Sequence, residues 1–294
     1  MNVDRGSLLS LGTVAAPLFV VLWSTGFIGA KYGLPYAEPL TFLSVRFALA
    51  GAALALWTVL SGSPWPTGRQ AAHLALVGIL LHGGYLGGVF VAISLGVEAA
   101  VSALIVSIQP ILTAFLARWV LGETMTRMQW AGLALGITGV ALVVAEKLGD
   151  GLGDTTGIGL CLMSLLSISV ATLYQKRFSA GAPLRAGSAI QFTAALAVLT
   201  PLALLLETNR IEWTGDFVFA LGWLVVVLSL GAVGLLMVLI RQDSAGRVAS
   251  LFFLMPPCTA ILSWAFFGET FGFMALCGIV LAVVGVALVM RERT

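Results

Sequence analysis

The sequence predicts an all-α integral membrane protein whose ten transmembrane helices form two inverted-topology five-helix repeats. Three observations predict it. The first is composition: the 294 residues are 60% hydrophobic and 10% charged, with a mean hydropathy of +1.06. A soluble domain carries about 25% charged residues, so the solvent for this much apolar surface is lipid. The second is the spacing of the apolar runs, each close to the roughly 20 residues that cross a bilayer core as a helix. The third is a stretch that occurs twice: Pro110 to Val144 aligns without a gap on Pro256 to Met290. Pro110 falls on Pro256, Gly122-Glu123-Thr124 on Gly268-Glu269-Thr270, and Gly139-Val140-Ala141-Leu142-Val143 on Gly285-Val286-Ala287-Leu288-Val289. Such self-similarity marks a duplicated structural unit.

Taken in order, the runs are 13–32, 39–60, 71–94, 98–119, 127–146, 157–178, 185–206, 217–240, 246–267 and 271–290. The first continues past signal-peptide length without a clear small-residue cleavage pattern and is read as a retained helix. Polar or Pro/Gly-rich breaks separate the runs: Gly33-Leu34-Pro35, Ser61 to Gly68, Gly149 to Thr156, Gly181-Ala182-Pro183 and Glu207 to Asp216. No segment between runs is long enough for a soluble domain. The repeats divide as 1–148 and 149–294.

Basic residues collect on the cytoplasmic side of a membrane protein. With the N-terminus inside, the inner segments hold Arg5, Arg69, Arg118, Arg127, Lys176, Arg177, Arg185, Arg241, Arg247, Arg291 and Arg293, and the outer ones Lys31, Lys147 and Arg210. Acidic residues lean outward: Glu38, Glu98, Glu146, Asp150, Asp154, Glu207, Glu212, Asp216 and Glu269. Both termini of this multi-pass protein are therefore expected in the cytoplasm. Five helices per half is an odd number, so the second half enters the membrane upside down. Inverted repeats of this kind are a transporter architecture with its site near the midplane between the halves. Ser24 and Lys31 match Ser169 and Lys176 at almost the same offset.

Ten helices in two halves, with a Pro-led helix ending in Gly-Glu-Thr before a Gly-rich helix, resemble the EamA-type members of the drug/metabolite transporter superfamily. Trp23, Ser24, Gly26, Phe27 and Lys31 in helix 1, and Pro39 and Arg46 in helix 2, match as well. The resemblance covers essentially the whole chain and is nearest to the bacterial aromatic amino acid exporters. It implies an inner-membrane carrier that moves amino acids, aromatic ones foremost, and related metabolites out of the cell. The alternatives are a multidrug or cationic-compound exporter, and a channel or non-transporting scaffold. A cation exporter calls for a membrane-embedded carboxylate; Glu98, at a helix start, comes nearest to one.

Ionisable or polar residues deep in a membrane helix are functional candidates, since a charge at the helix centre costs roughly 2.5–3.5 kcal/mol on insertion scales. Arg46 can meet a substrate carboxylate with two parallel hydrogen bonds, or it snorkels and holds helix ends together. His82 and Tyr85 lie three apart in Leu80-Leu81-His82-Gly83-Gly84-Tyr85, on one expected helical face. They line a cavity or join helices, and a histidine can also couple a proton. Gly84 and Gly87 are expected to let this helix flex, so bulky replacements there should stop transport. Gln109 precedes Pro110, where the missing N–H kinks the helix; Met255-Pro256-Pro257, flanked by Phe252, occupies the equivalent place in the second repeat. Paired breaks of this kind point to a transporter's binding site. Trp23, Tyr174 and Gln175 are candidates to clamp an aromatic ring. Trp57, Trp65, Trp119, Trp213 and Trp264 read as interface anchors, Lys31 as a snorkelling or anion-attracting residue, and Glu123 and Glu269 as caps of the helices that follow them.

The sequence carries no Walker-type Gly-x-x-x-x-Gly-Lys-Ser/Thr motif, and so no sign of direct ATP drive. It also carries no His-Glu-x-x-His, paired Cys-x-x-Cys or serine-elbow motif, so no enzyme, cofactor or metal is expected. Cys161, Cys258 and Cys277 sit inside apolar runs as packing residues. The expected partners are a small-molecule substrate and membrane lipid; no basic cluster with interleaved aromatics suggests nucleic acid. Ten helices make a complete pathway, which favours a functional monomer.

Overall fold

In a bilayer the backbone N–H and C=O groups have no water to bond, so a chain this apolar satisfies them within helices. The computed structural model describes residues 5–121, 126–149, 155–179, 181–232, 235 and 254–291. Phe252, Phe253 and the first Gly122-Glu123-Thr124 turn lie outside them. Among the described residues the architecture is all helical, apart from one isolated antiparallel bridge, Ala37 to Ile211. The rods are α1 (Arg5–Gly33), α2 (Pro39–Leu60), α3 (Gly68–Ser94), α4 (Ala99–Ser107 continuing as Gln109–Leu121), α5 (Arg127–Gly149), α6 (Thr155–Phe178), α7 (Leu184–Leu206), α8 (Gly215–Ala232), α9 (Met255–Phe267) and α10 (Phe273–Arg291).

Local chemistry sets several ends. Pro39 opens α2 at a position whose N–H needs no partner. The Thr214 hydroxyl accepts from the Phe217 N–H at 3.2 Å and caps α8. Gly268 ends α9 with φ +66°, a left-handed conformation that explains the glycine in its Gly-Glu-Thr turn.

Helices 2, 3, 6, 7 and 8 are long and apolar enough to cross a membrane. Large apolar side chains such as Leu60, Leu205, Leu206, Trp264, Phe266 and Phe273 stand exposed on the outside, as lipid-facing residues do. Trp57, Trp65 and Trp213 are exposed too, in keeping with an anchoring role.

The packing carries the repeat. If each of the first five helices is matched with its counterpart in the second five, the contacts exchange in pairs. α1 packs on α9 as α6 packs on α4, and the middle of α3 packs on α6 as the described end of α8 packs on α1. α2 with α7, and α5 with α10, are the self-matched pairs. Ser24 and Ser169 play one role in both halves: each is fully buried and donates to the carbonyl four residues back, to Val20 at 2.8 Å and to Leu165 at 2.7 Å. The α5–α10 seam is closed by glycines. A Cβ on Gly139 would stand 2.5 Å from the Gly278 carbonyl oxygen, and one on Gly285 would stand 2.6 Å from that of Gly132.

Two features were not expected from the runs. The middle of α3, Ile79–Leu86, and the described end of α8, Trp223–Ala232, are π-helical. These are corresponding helices of the two repeats. Wide π turns leave carbonyls to be satisfied by other groups and recur at functional positions. Here serine hydroxyls do so: Ser167 of α6 donates to the Leu80 carbonyl at 2.8 Å, and Ser229 to that of Leu224 at 3.1 Å.

At one end of the bundle a set of carboxylates ties repeat to repeat. Glu207 accepts from the Leu40 and Thr41 N–H groups at 2.8 and 2.7 Å and from the Thr41 hydroxyl at 2.7 Å. Glu38 accepts in return from the Thr208 N–H at 2.6 Å, the Thr208 hydroxyl at 2.7 Å and the Asn209 N–H at 3.2 Å. Each carboxylate faces the terminus of the other repeat's helix. Asp216 accepts from the Tyr32 and Tyr36 phenols at 3.0 Å each. The Asp216 hydrogen bond raises the Tyr36 phenol above its ordinary value, keeping it a donor.

Glu269 corrects one expectation. Its carboxylate reaches across to an ion pair with Lys31, which also lies over the Phe267 ring at 4.8 Å. The N–H groups of Gly272 and Ala275, where α10 begins, are instead taken by Glu146 at 2.9 Å each. A carboxylate arriving from α5 already caps α10, so the nearer glutamate is released to bind the lysine, which neither snorkels nor stands as a free cation.

Candidate functional site

Pro110 has no N–H to offer the carbonyl four residues back, and α4 breaks at Ile108. In the second repeat the described part of α9 starts at Met255, immediately before Pro256, with Leu254 at its N-cap. Gln109 and Met255 occupy equivalent places, and the two breaks meet. Around them lies a cavity of about 20 Å³, lined by Trp23 and Phe27 of α1, Tyr85 of α3, Ala103, Val106, Ser107 and Gln109 of α4, Ile168 of α6 and Met255 of α9. That is space for about one water molecule. The described walls are apolar and aromatic; their polar groups are the Gln109 amide, the Tyr85 phenol, the Ser107 hydroxyl and the Trp23 indole N–H.

Three expected residues thus come together: Trp23, Tyr85 and Gln109. The Gln109 amide donates to the hydroxyls of Thr113 and Thr172 at 3.2 Å each, which fixes it against α6. Trp23 packs on Phe19 with ring centroids 5.3 Å apart. Pro110 is half-buried beside Gln109, and Pro256 is buried beside Met255. Phe252 lies outside the described residues.

Tyr174 is not in the cavity. Its phenol is 2.7 Å from His73 Nδ1, and its ring packs against Phe178. The reason is helical phase: Ile168 and Thr172, four apart, share the face of α6 that meets the cavity, and Tyr174, two residues on, points elsewhere. By the internal repeat the counterpart of Trp23 is Ile168, which does line the cavity. The repeat register was the signal that would have found Ile168, as it had marked Met255 at the second break. Ala103, Val106 and Ser107 carried no comparable mark, and Phe27 stood out only as a position of the family resemblance.

His82 and Tyr85 do not share a face. The π segment widens each turn, so residues three apart diverge. Tyr85 turns to the cavity, while His82 stacks on Phe192 of α7 at 4.2 Å and tilts against Phe47 of α2 at 5.6 Å. Arg46 is buried, at 4% exposure, so it does not snorkel. Its Nε and Nη2 each donate to the Ser229 hydroxyl of α8 at 3.3 Å.

The glycines of α3 are not equivalent. A Cβ on Gly84 would collide with the Ser167 hydroxyl that satisfies the π turn, and one on Gly88 with the Ser164 hydroxyl. At Gly87 the neighbour is the Leu199 Cδ2 at 3.7 Å, ordinary contact. Gly84→Ala is expected to cost about 1–3 kcal/mol, the usual range for overpacking, and Gly87→Ala close to nothing. Melting of the detergent-purified variants decides it; equal losses at both positions would rule out the Ser167 contact as the cause.

The chain matches the model of the EamA-like transporter family twice, over residues 10–145 and 155–291. It is 28% identical over 273 residues to "Uncharacterized inner membrane transporter YedA" of Escherichia coli (strain K12), covering 91% of this chain and 88% of that one. It is 28% identical over 282 residues to "Probable amino-acid metabolite efflux pump" of Salmonella typhimurium (strain LT2), covering 92% and 91%. A protein of known crystal structure superposes with a TM-score of 0.66 at 19% identity, over 95% of this chain and 96% of that one, which shows a shared fold.

Proposed function

The chain belongs to the EamA-like transporter family, and from that premise we propose a secondary carrier that exports amino acids, aromatic ones foremost, across the inner membrane by alternating access. The observation that carries the reading is the cavity where the paired breaks of α4 and α9 meet the matched helices α1 and α6. A site on the pseudo-symmetry axis is the one place that rocking of one repeat against the other exposes to each side in turn. Its aromatic and apolar lining with a few polar groups suits a solute with a large apolar body. Relatives named as amino-acid metabolite efflux pumps support the solute class.

The repeats are proposed to divide as 1–148 and 149–294, each unit carrying one copy of the paired break, and a monomer to hold the whole pathway. Both termini are placed in the cytoplasm by the bias of the basic residues. This turns the end latched by Glu38, Glu207 and Glu269 outward. With about 20 Å³ between the breaks, the helices must part to admit a solute, and the outer latch is the contact set that has to open.

Counterflow in proteoliposomes tests the proposal. Vesicles loaded with unlabelled phenylalanine or tryptophan should accumulate the labelled amino acid saturably. Gln109→Ala, which removes the amide from the described cavity wall, should lower that counterflow by roughly 10-fold or more, as loss of a polar substrate contact does. Movement of a cationic dye alone would replace the reading by a multidrug exporter, linear flux without counterflow by a channel, and no flux by a scaffold.

A further inference from the structure

We infer that Arg46, with Ser229, His82 and Tyr85 around it, forms the subsite for the carboxylate of the transported solute. This deepens the carrier reading and rests on it. Arg46 is eight residues into α2, enclosed by protein at 4% exposure. Its guanidinium carries five donors and is always charged. The partner the structure gives it is one neutral hydroxyl, Ser229 Oγ, 3.3 Å from both Nε and Nη2. The ion pair among the described residues is Lys31 with Glu269, so no described carboxylate neutralises Arg46. A buried cation without a counter-ion is strongly penalised by desolvation. A site that keeps one for structure alone would supply an acid beside it, as Glu269 is supplied to Lys31.

A second buried group in the same cluster has one ring nitrogen unpaired, although its side chain also reaches Gln191. His82 Nδ1 is buried without a hydrogen bond, while its ring is held between Phe192 and Phe47, the residue next to Arg46. Arg46 lies within electrostatic range of both His82 and Tyr85. Tyr85 is also a wall of the cavity, so the charged cluster and the aromatic cavity share a side chain. A solute with its ring among Trp23, Phe27 and Met255 can then lay its carboxylate toward Arg46. The guanidinium comes from the first repeat and Ser229 from the π segment of the second, so a bound carboxylate would contact both moving halves. The solute class that follows is an organic carboxylate with an apolar or aromatic end; amines without a carboxylate are refused.

The test is a ligand series on the full-length protein. Labelled phenylalanine counterflow is competed by 3-phenylpropionate, which keeps the carboxylate, and by phenethylamine and phenylalaninamide, which lack it. The acid should compete and the two amines should not. R46Q should raise the half-saturating phenylalanine concentration by roughly 10- to 100-fold, the range for losing a hydrogen bond to a charged group. R46K should fall between, because an ammonium keeps the charge without the planar fork. In detergent, 3-phenylpropionate should raise the melting temperature of wild type and leave that of R46Q unmoved. Competition by phenethylamine equal to that of the acid, or unchanged half-saturation in R46Q, would overturn the assignment. Should R46Q not fold, the wild-type series and R46K still decide. If phenylalanine is not transported at all, the amino-acid reading falls, and the Arg46-dependent melting shift decides the subsite separately.

Discussion

Gly139→Leu is expected to leave little folded protein. A Cβ at Gly139 would stand 2.5 Å from the Gly278 carbonyl oxygen and 2.6 Å from the Ala282 nitrogen, and one at Gly278 2.5 Å from the Gly139 oxygen. These are backbone atoms of α5 and α10, so no side-chain rotation relieves the overlap and the two helices must separate. In lipid, close backbone approach through small residues is what holds helices together. Overpacking a core costs about 1–3 kcal/mol where side chains can yield; here they cannot, and the loss should reach the top of that range or pass it. Gly159 of α6 has nothing within 4 Å of its Cβ position and faces outward. Gly159→Leu is therefore the control and should melt like wild type. The two variants differ only in which glycine is filled. Equal yield and melting temperature in detergent would mean that the α5–α10 seam is not what holds the repeats together.

Glu207→Ala is expected to open the end of the bundle assigned to the outside. Glu207 accepts three hydrogen bonds from the first turn of α2. Bonds to a charged group contribute about 1.5–3 kcal/mol each, and the half-exposed position lowers the sum. A net loss of about 3 kcal/mol shifts a two-state equilibrium about 150-fold. Glu38 is engaged elsewhere in the latch: its Oε2 accepts from Thr208 and Asn209. The readout is thiol labelling of a cysteine at Ala103, a cavity-wall position, in a protein whose Cys161, Cys258 and Cys277 have been replaced. An impermeant reagent added from outside should label the Glu207→Ala protein much faster than its parent. Glu207→Gln, which keeps an acceptor but no charge, should fall between. Labelling at the parental rate in both would remove the latch from the transport cycle.

Several parts of this architecture were legible in the runs and the repeat. Pro110 and Pro256 marked the breaks, and Gln109 the amide beside them, because a missing N–H is a local fact written in one residue. Trp23 stood out as an aromatic inside an apolar helix, and it lines the cavity. That Tyr174 stands outside the cavity wall was not legible, because both sides of α6 are apolar, one facing lipid and the other the core, so hydrophobicity does not say which face is which. Glu269 was read as a cap because its position in sequence fits one; only the arrival of Glu146 from another helix showed that the place was taken.

The sequence by itself determined which segments cross the membrane, that the second five helices repeat the first upside down, and where the matched helices break. Run length, composition and proline chemistry act within a single helix and need no partner to be read. The tertiary structure alone decided that α3 and α8 widen into π turns, that His82 and Tyr85 face different ways, and that Arg46 is buried against Ser229 with no described carboxylate paired to it. Those outcomes depend on which hydroxyl, carbonyl or ring a neighbouring helix presents, and that is fixed only when the two repeats pack.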